Sequence, residues 1–585
     1  MSTDDTASPP LAALFLINFD LKVGYTIAWK KAVENVELDG VVEFKSLPSG
    51  SHTVKDDLIY FVHEQYAGLS AFVNQPSDET HRNAQFVAVG ILVPLSYGRL
   101  GRSWLHAQKL QQLARKMVAN GEERQPLEQF WEEQQMQPQM KPEASESPPA
   151  TSPNRPSPQV LGQSDTSGRS KPRALSTSTA VNPTEQSLSP YHPALSLLRY
   201  IDIFGPLIFP LHRAALLRKR ILFVAPPPVR QACEFVYDLS ILTPIPTSTA
   251  LLLPQTAEPL SRLRPFFNLG IHDIPLLQRE AQQPPTEDDS GAGIRGWVAC
   301  TTDEILTMKT NLYDLIVEIP SVLDPSSQNR AFALQNRRWP TLKTAKGGKL
   351  KATQRDLRRF KALRQALAPA LRPQQKSSTA YSDEPVVEDE QSSLLPHSKP
   401  SRDSSSEAEA TAEESQTVEA TSWSALAYSS FMWWASAGER DEALDHEEHQ
   451  DSELLGDLVD IAADAAGGWY KDEPEDDDGP SKTDDQDVQT NAEILTALIA
   501  FFHRYTAQLF AATVDAFEAE DGSDSERSET AEGEVVLDSE DLRRMGLDAW
   551  SESDALFAKE LARRWWGRDV SVRRAGVEAC GVRLC

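Results

Sequence analysis

Negative charge in this chain is crowded into one stretch, and that crowding decides which residues can share a core. Residues 401–550 hold 40 Asp and Glu against 8 Lys and Arg, a net of −32, whereas the whole 585-residue chain carries −28. The remainder therefore carries +4 and is close to neutral. Segments with such charge density and little apolar content bury too little surface to offset the entropy of ordering. With 40 prolines and a mean hydropathy of −0.43, much of the length is low in complexity. About 350 residues are left to fold, enough for two or more domains. Overall acidity argues against nucleic acid, because phosphate backbones need clustered cations.

The neutral part begins with strands. Residues 11–19, 24–29, 58–62, 68–74 and 86–93 read as strands, the last as a central one because its run is apolar throughout. Residues 104–120 turn helical, with Trp104, Leu105, Leu110, Leu113 and Met117 near helical spacing. Gly40, Gly50 and Gly68 are expected at turns. Residues 1–10 are expected to be disordered, without a signal peptide, and 11–120 to form one α/β lobe. Residues 121–190, dense from 136 onward in Pro, Ser, Gln and Thr, are expected as a disordered linker.

A second α/β lobe is expected over 191–367. Residues 192–219 are helical in pattern, interrupted at Gly205-Pro206 and Pro210. Residues 221–225 form a short buried strand, ended by Pro226-Pro-Pro228 at the start of a helix over 229–241. Strands follow at 297–301 and 312–319. Thr301-Thr-Asp-Glu304 and Thr353-Gln-Arg-Asp356 each read as a capping box opening a helix. Such alternation points to an α/β core with some parallel strands. Residues 368–422 are an expected disordered acidic linker. Residues 423–585 are an expected helical portion with disordered acidic insertions. Its helices are placed near 454–466, over 494–517, and as one amphipathic helix over 542–567.

Signatures of chemistry are missing from the string. Gly291-Ala-Gly-Ile-Arg-Gly296 has dinucleotide-fingerprint spacing, but an acidic loop precedes it and a strand follows, so it reads as a loop. Three prolines occupy the turn after residues 221–225, where a phosphate cradle would need backbone N–H donors. No Gly-x-x-x-x-Gly-Lys-Ser/Thr and no Gly-x-Ser-x-Gly occurs. The 11 histidines show no metal spacing, and the four cysteines are too few and scattered for a disulfide framework. No catalytic residue, metal or cofactor is expected. Residues 343–364 hold nine Lys and Arg and one Asp. They read either as a surface for anionic lipid or an acidic partner, or as the solvated face of the helix carrying Leu357, Phe360 and Leu363. Phe431-Met-Trp-Trp434 reads either as an interfacial anchor or as a helix docking on the core.

The order of the first strands around Gly40-Val-Val-Glu-Phe-Lys-Ser-Leu-Pro-Ser-Gly-Ser-His52 resembles the N-terminal module of DENN-domain proteins, in particular the LCHN-like branch and its uncharacterised fungal relatives. Thr353-Gln-Arg-Asp-Leu-Arg-Arg-Phe360 and Trp433-Trp-Ala-Ser-Ala-Gly438 resemble later segments of the same branch. The resemblance implies a longin-like N-terminal α/β lobe, an α/β DENN lobe and C-terminal helices. It implies binding to a Rab-type small GTPase in membrane trafficking, with guanine-nucleotide exchange in several members. Exchange works by stabilising the nucleotide-free GTPase and needs no catalytic acid, base or cofactor. The rival reading is a non-catalytic scaffold or Rab effector on the same fold. Lys45, Ser51 and His52 in the signature, and Lys349, Lys351 and Arg355 in the basic run, are the candidate partner-binding residues, with turn structure and a solvated helix face as the alternatives. A cytoplasmic protein, peripheral on organelle membranes at most, is expected.

Overall fold

The computed structural model describes residues 8–20, 24–47, 49–50, 53–76, 84–121, 123–136, 188–254, 262–282, 296–320, 339–371, 416–421, 426, 437–467, 483–523, 535–575, 578–579 and 582–583. The acidic insertions and the Trp433-Trp434 island fall largely or wholly outside these residues.

Alternating apolar residues build the first lobe as an antiparallel sheet. Strands β1 (Ala13–Asp20) and β2 (Gly24–Ala32) pair as a hairpin, and the single helical turn α1 (Val42–Lys45) follows. Strands β3 (Asp56–His63) and β4 (Tyr66–Pro76) form a second hairpin, and β5 (Ala84–Pro94) inserts between β4 and β1. That central position explains the continuous apolar run of β5, buried from Val87 to Val93. Gly68 is not at a turn. It lies in β4 opposite Phe61, whose ring would sit 2.2 Å from any Cβ placed there. Helix α2 (Ala107–Ala119) covers β4 and β5 through Leu110, Leu113, Ala114 and Met117.

The stretch expected as a linker from residue 121 instead starts with a helix, α3 (Gln125–Gln134). Leu127, Phe130 and Trp131 recur at helical spacing and are buried, which outweighs the polar residues around them. The Leu11 N–H donates to the Gln134 carbonyl at 2.8 Å, fastening this helix to the start of β1.

The second lobe continues the same sheet. Helices α4 (Leu197–Phe204) and α5 (Ile208–Leu216) are separated at Gly205-Pro206 as expected, whereas Pro210 sits in the first turn of α5, where its missing N–H is harmless. Then come β6 (Ile221–Val224), α6 (Arg230–Leu242), α7 (Thr247–Ala250), β7 (Arg264–Asn268), α8 (Ile274–Gln282), β8 (Trp297–Thr301), α9 (Glu304–Thr307), β9 (Leu315–Glu318), β10 (Thr341–Thr344), β11 (Lys349–Leu350) and α10 (Gln354–Leu371). Strands β9, β6, β8 and β7 are mutually parallel neighbours in that order. The complete sheet has 11 strands, ordered β11-β10-β9-β6-β8-β7-β3-β4-β5-β1-β2. The lobes join at one antiparallel pair, Phe61 with Phe267. Both faces of the second lobe's sheet are covered. Ile221, Phe223, Val298, Cys300, Leu315 and Val317 face the main core, while Leu222, Trp297, Ala299 and Ile316 face a smaller cluster.

The expected box at Thr301 is a different device. The Thr301 hydroxyl closes β8 by donating to the Leu269 carbonyl and accepting from the Asp303 N–H. At Thr353 the reciprocal box forms: Asp356 Oδ2 accepts from the Thr353 N–H, and Thr353 Oγ1 accepts from the Asp356 N–H.

The C-terminal portion supplies α11 (Ala437–Leu455), α12 (Leu458–Gly467), α13 (Thr483–Ser523), β12 (Val535–Leu537), α14 (Ser539–Arg544), α15 (Glu552–Trp566) and β13 (Val570–Val572). The single helix expected over 542–567 is thus two, broken after α14 at Gly546. This residue has φ 71°, and a Cβ on it would lie 2.5 Å from Arg359 Nη2. Pro193–Leu216 and Ala492–Ala519 are long and apolar enough to cross a bilayer by length and composition. Both instead contribute to the core, through residues such as Phe204, Phe209, Phe502 and Leu509.

Charge ties this portion to the second lobe. Arg213 on α5 makes a bidentate contact with Asp356 on α10, 2.7 and 2.6 Å, and its Nη2 lies 3.0 Å from Asp554 on α15. Arg355 holds Asp451 of α11 bidentately at 2.8 and 2.7 Å. Arg359 reaches the same carboxylate at 3.1 Å and the Gly546 carbonyl at 3.0 Å, over the ring of Tyr505. All six charged groups are buried. Burial pushes Asp356 up, but Arg213 outweighs it and holds the carboxyl below the usual range. Asp554 is pushed up to about 7 by burial, with Arg213 opposing and Asp356 adding to the rise.

Removing one member of such a cluster strands a buried charge. Asp356→Asn is therefore expected to lose about 3–5 kcal/mol of stability in urea unfolding. Arg358→Gln, which breaks the surface pair with Glu447, is expected to lose under about 1 kcal/mol. Similar losses for the two would refute the cluster's role.

Candidate functional site at the lobe seam

Parallel α/β sheets place ligands at the C-terminal ends of their strands. Here that edge is filled by the chain itself. The segment after β2 lies against the loops following β6, β7 and β8. Lys45 Nζ donates to the Val62 carbonyl at 2.7 Å and pairs with Asp273 Oδ1 at 2.9 Å. Asn268 Nδ2 donates to the Lys45 carbonyl at 3.1 Å. The Phe44 ring stacks on His272 with centroids 3.8 Å apart. Ser49 Oγ donates to Asp303, and Gly50 abuts Pro227 so closely that a Cβ would lie 3.0 Å from its Cγ.

The N-terminus of α6 is occupied as well. An α/β sheet would offer these N–H groups to an anion. Asp57 of β3 takes them instead, accepting from the Val229 N–H at 2.7 Å and the Arg230 N–H at 3.1 Å. Burial pushes the Asp57 carboxyl up to about 6 against those bonds and the nearby Arg230 charge. The first lobe thus supplies the anion that caps the second, and Pro226-Pro-Pro228 offers no N–H in the turn before it. Among the described residues this edge is a seam between the two lobes, with its foremost anion donors already taken. The loops that follow β7 and β8 expose apolar side chains: Ile271, Ile305 and Met308 are 41, 50 and 75% exposed.

Comparison with known proteins decides the family. The family model described as DENN domain-containing protein 11 matches residues 14–329, more than half of the chain. The chain belongs to the DENN domain-containing protein 11 family. Proteins of that name from Danio rerio and Xenopus laevis are 32 and 31% identical to it over 317 residues, which is 53% of this chain and 54 and 60% of theirs. The match therefore spans little more than half the length of these relatives. "Uncharacterized protein ANR2" of Saccharomyces cerevisiae is 23% identical over 600 residues, 99% of this chain and 95% of the yeast protein. A second family model, described as Domain of unknown function (DUF4484), matches residues 418–585, the part fastened by the buried ion cluster.

On this DENN fold the candidate residues separate. Lys45 is buried in the seam and holds the lobes together. Ser51 and His52 lie outside the described residues. Lys349 is exposed on β11 at the far edge of the sheet, six strand positions from β3. Lys351 is half-buried, its Nζ 3.4 Å from the Val418 carbonyl. Arg355 is only 1% exposed and spent on Asp451, so it is internal wiring and not a surface contact. The basic run is thus neither one lipid-facing patch nor one solvated helix face.

Sequence reasoning missed Asp57, Asn268, Asp273 and the exposed pair Ile305 and Met308. The pointer to Asp57 was there: a carboxylate opening an otherwise buried strand needs a donor from elsewhere. Missed too were Cys233 and Cys300, buried thiols whose sulfurs lie 3.5 Å apart beneath β3, with burial pushing the Cys300 thiol up.

A histidine packs into the other side of the seam. The His192 ring packs on Trp104 of the first lobe at 4.7 Å, and its Nδ1 accepts from the Ala194 N–H at 3.1 Å. Burial, then Arg102, lowers its pKa to about 4. A folded-state pKa below the unfolded value of 6.5 means stability that is complete above pH 6.5 and lost as pH falls toward 4. His192→Asn keeps a capping acceptor without titrating. Wild type is expected to lose up to roughly 3 kcal/mol relative to that variant between pH 7 and 4. A flat difference across that range, read by thermal melts, would refute a neutral ring.

Proposed function

We propose that this chain regulates a Rab-type small GTPase in membrane trafficking, by binding the GTPase in its nucleotide-free state and speeding GDP release. The observation that carries this reading is the seam: the sheet edge that could hold a nucleotide is closed by the chain's own Lys45, Asp57 and proline turn, while the loops after β7 and β8 present exposed apolar residues. A protein that exchanges nucleotide on a partner needs a surface of this kind and no phosphate site of its own. Membership of the DENN family supports the same reading. Tight binding to the empty GTPase weakens nucleotide binding by the same factor, which is how exchange proceeds without acid–base chemistry. The protein would work in the cytoplasm, meeting membranes through its partner.

Fluorescent-GDP release and pull-downs across a panel of nucleotide-free Rabs test this. One Rab should bind, release GDP faster, and be displaced by added GDP or GTP through mass action. Ile305→Asp with Met308→Asp should weaken that complex by at least about tenfold, as expected when apolar anchors are lost, and leave the melting temperature unchanged. Binding only to the GTP-loaded form would make the protein an effector or scaffold. Binding to no Rab in any state would end the reading.

A further inference from the structure

Leucines stand in water where α7 ends. Leu251, in the turn after α7, is 83% exposed, more than any other large apolar side chain among the described residues, and Leu252 beside it is 40% exposed. The turn is closed by its own backbone. The Leu252 N–H donates to the Thr249 carbonyl at 3.0 Å, and the Leu253 N–H to the Ala250 carbonyl at 3.2 Å. Ala250 and Leu253 pack on the main core, so the base of the turn is anchored while its tip projects. Single apolar residues on a surface need no explanation. This pair does not stand alone.

An indole and a set of cations adjoin the tip. Trp566, at the end of α15, is half-buried, and its Nε1 donates to the Leu252 carbonyl at 3.2 Å. Its ring meets Phe517 of α13 edge-on with centroids 5.6 Å apart, and the Arg568 guanidinium lies 4.9 Å from the centre of the same Phe517 ring. Leu252, Trp566, Phe517 and Arg568 are thus joined by direct contacts. One and two turns back along α15, Arg563 and Lys559 are exposed, and Leu556 on the same stripe is 55% exposed. Five cations, Lys219, Lys559, Arg563, Arg564 and Arg568, stand against three carboxylates, Glu518, Glu560 and Asp569. Glu560 is matched by Lys219 at 2.7 Å. Asp569 lies 3.8 Å from Arg563 with both side chains exposed, a loose pair that water screens.

In a chain of net charge −28, a corner that is cationic and also bears projecting leucines is out of character. We propose that the Leu251-Leu252 turn, Trp566 and the outward face of α15 form a docking surface for a lipid bilayer with anionic headgroups. Shape and chemistry select this occupant. Peptides and small ligands are held in concave sites. Leu251 is instead a tip open on almost all sides, which a soft apolar phase can surround and a flat protein face cannot. The indole beside it suits the boundary between chains and headgroups. Its N–H is already on a backbone carbonyl, so it brings no unpaired donor into that layer. Lys559 and Arg563 then lie where headgroup phosphates and carboxylates would be. Neither signal suffices alone, because a short apolar insertion or a few surface charges bind only marginally, and stable docking takes both. This contact is additional to any made through a bound GTPase and does not depend on one.

The test uses the full chain without a GTPase, floated with phosphatidylcholine vesicles that contain or lack phosphatidylserine. Flotation is expected with the serine lipid, falling as salt rises, and little of it on phosphatidylcholine alone. Leu251→Asp should weaken binding by at least about tenfold. Lys559→Gln with Arg563→Gln should weaken it by about as much. All three side chains are exposed, so the melting temperatures should stay at the wild-type value. If Leu251→Asp does not fold, the paired charge variant carries the test. Ile305→Asp with Met308→Asp should float like wild type, which separates this surface from the one proposed for the GTPase. No flotation on either vesicle overturns the proposal, as does equal flotation on both. So does binding unaltered by Leu251→Asp, or weakened equally by a Lys346→Gln/Lys349→Gln control on the distant β10–β11 hairpin. A dimer that Leu251→Asp dissolves, seen by light scattering without any lipid binding, would overturn it too and make the corner a contact between copies.

Discussion

Six buried charges join the C-terminal third of this protein to its α/β body. Arg213, Arg355 and Arg359 meet Asp356, Asp451 and Asp554, drawn from α5, α10, α11 and α15. Desolvating six charges offsets most of their attraction, so the cluster adds less net stability than well-packed apolar residues would. What it adds is register. Each bidentate contact fixes one helix against another, and a helix displaced by one turn would leave a charge buried without a partner. The acidic stretch and the basic run, which look like separate electrostatic features along the sequence, are thereby two halves of one interface.

The lobe seam follows a similar logic. One strand pair, Phe61 with Phe267, carries the sheet across, and Phe267 holds φ 59° to do so. So narrow a backbone junction needs side chains to fix the angle between lobes. Asp57 on the α6 N-terminus and Lys45 on Asp273 supply that from either side of β3. Both also consume groups that a nucleotide would otherwise use. A fold that closes its own ligand edge is left with its outer surface as the place to act.

Much of this was legible in the sequence. Apolar runs located β1 to β6, β8 and β9, and the proline turn marked the end of β6. The Thr353 box formed because both halves of the signal were local. Failures had long-range causes. Helix α3 looked like linker because three apolar residues among glutamines carry weight only once packed, as Phe130 is against His106. The break at Gly546 depends on Arg359, 187 residues away. Arg355 looked like surface because a basic run reads as solvated until its carboxylate, 96 residues later, is placed beside it. For the site, Lys45 was noticed as a residue but not as a clamp, since Asp273 and Asn268 come from a different lobe. Strand β7, which has Pro265 inside it, gave too weak a pattern to predict, and with it went the inter-lobe junction.

Helix α6 is where these threads meet. Its N-terminus is held by Asp57 at the seam, Cys233 touches the Tyr60 carbonyl of β3, and its C-terminal half carries Tyr237 against Trp104 and the Ile241 carbonyl beside His503. From Val229 to Ile241 is about 18 Å along a rigid axis. A helix so tied cannot tilt at one end without moving groups at the other, because its packing against β3, β7 and β8 leaves little slack. Of the six described non-glycine residues with positive φ, Leu100, Arg102 and Phe267 lie where the lobes meet around this helix. Local preference is overridden at the junction and satisfied in the strands and helices on either side. The junction is therefore the part of the protein whose geometry is imposed by the whole fold, which makes it the part a bound partner is best placed to read.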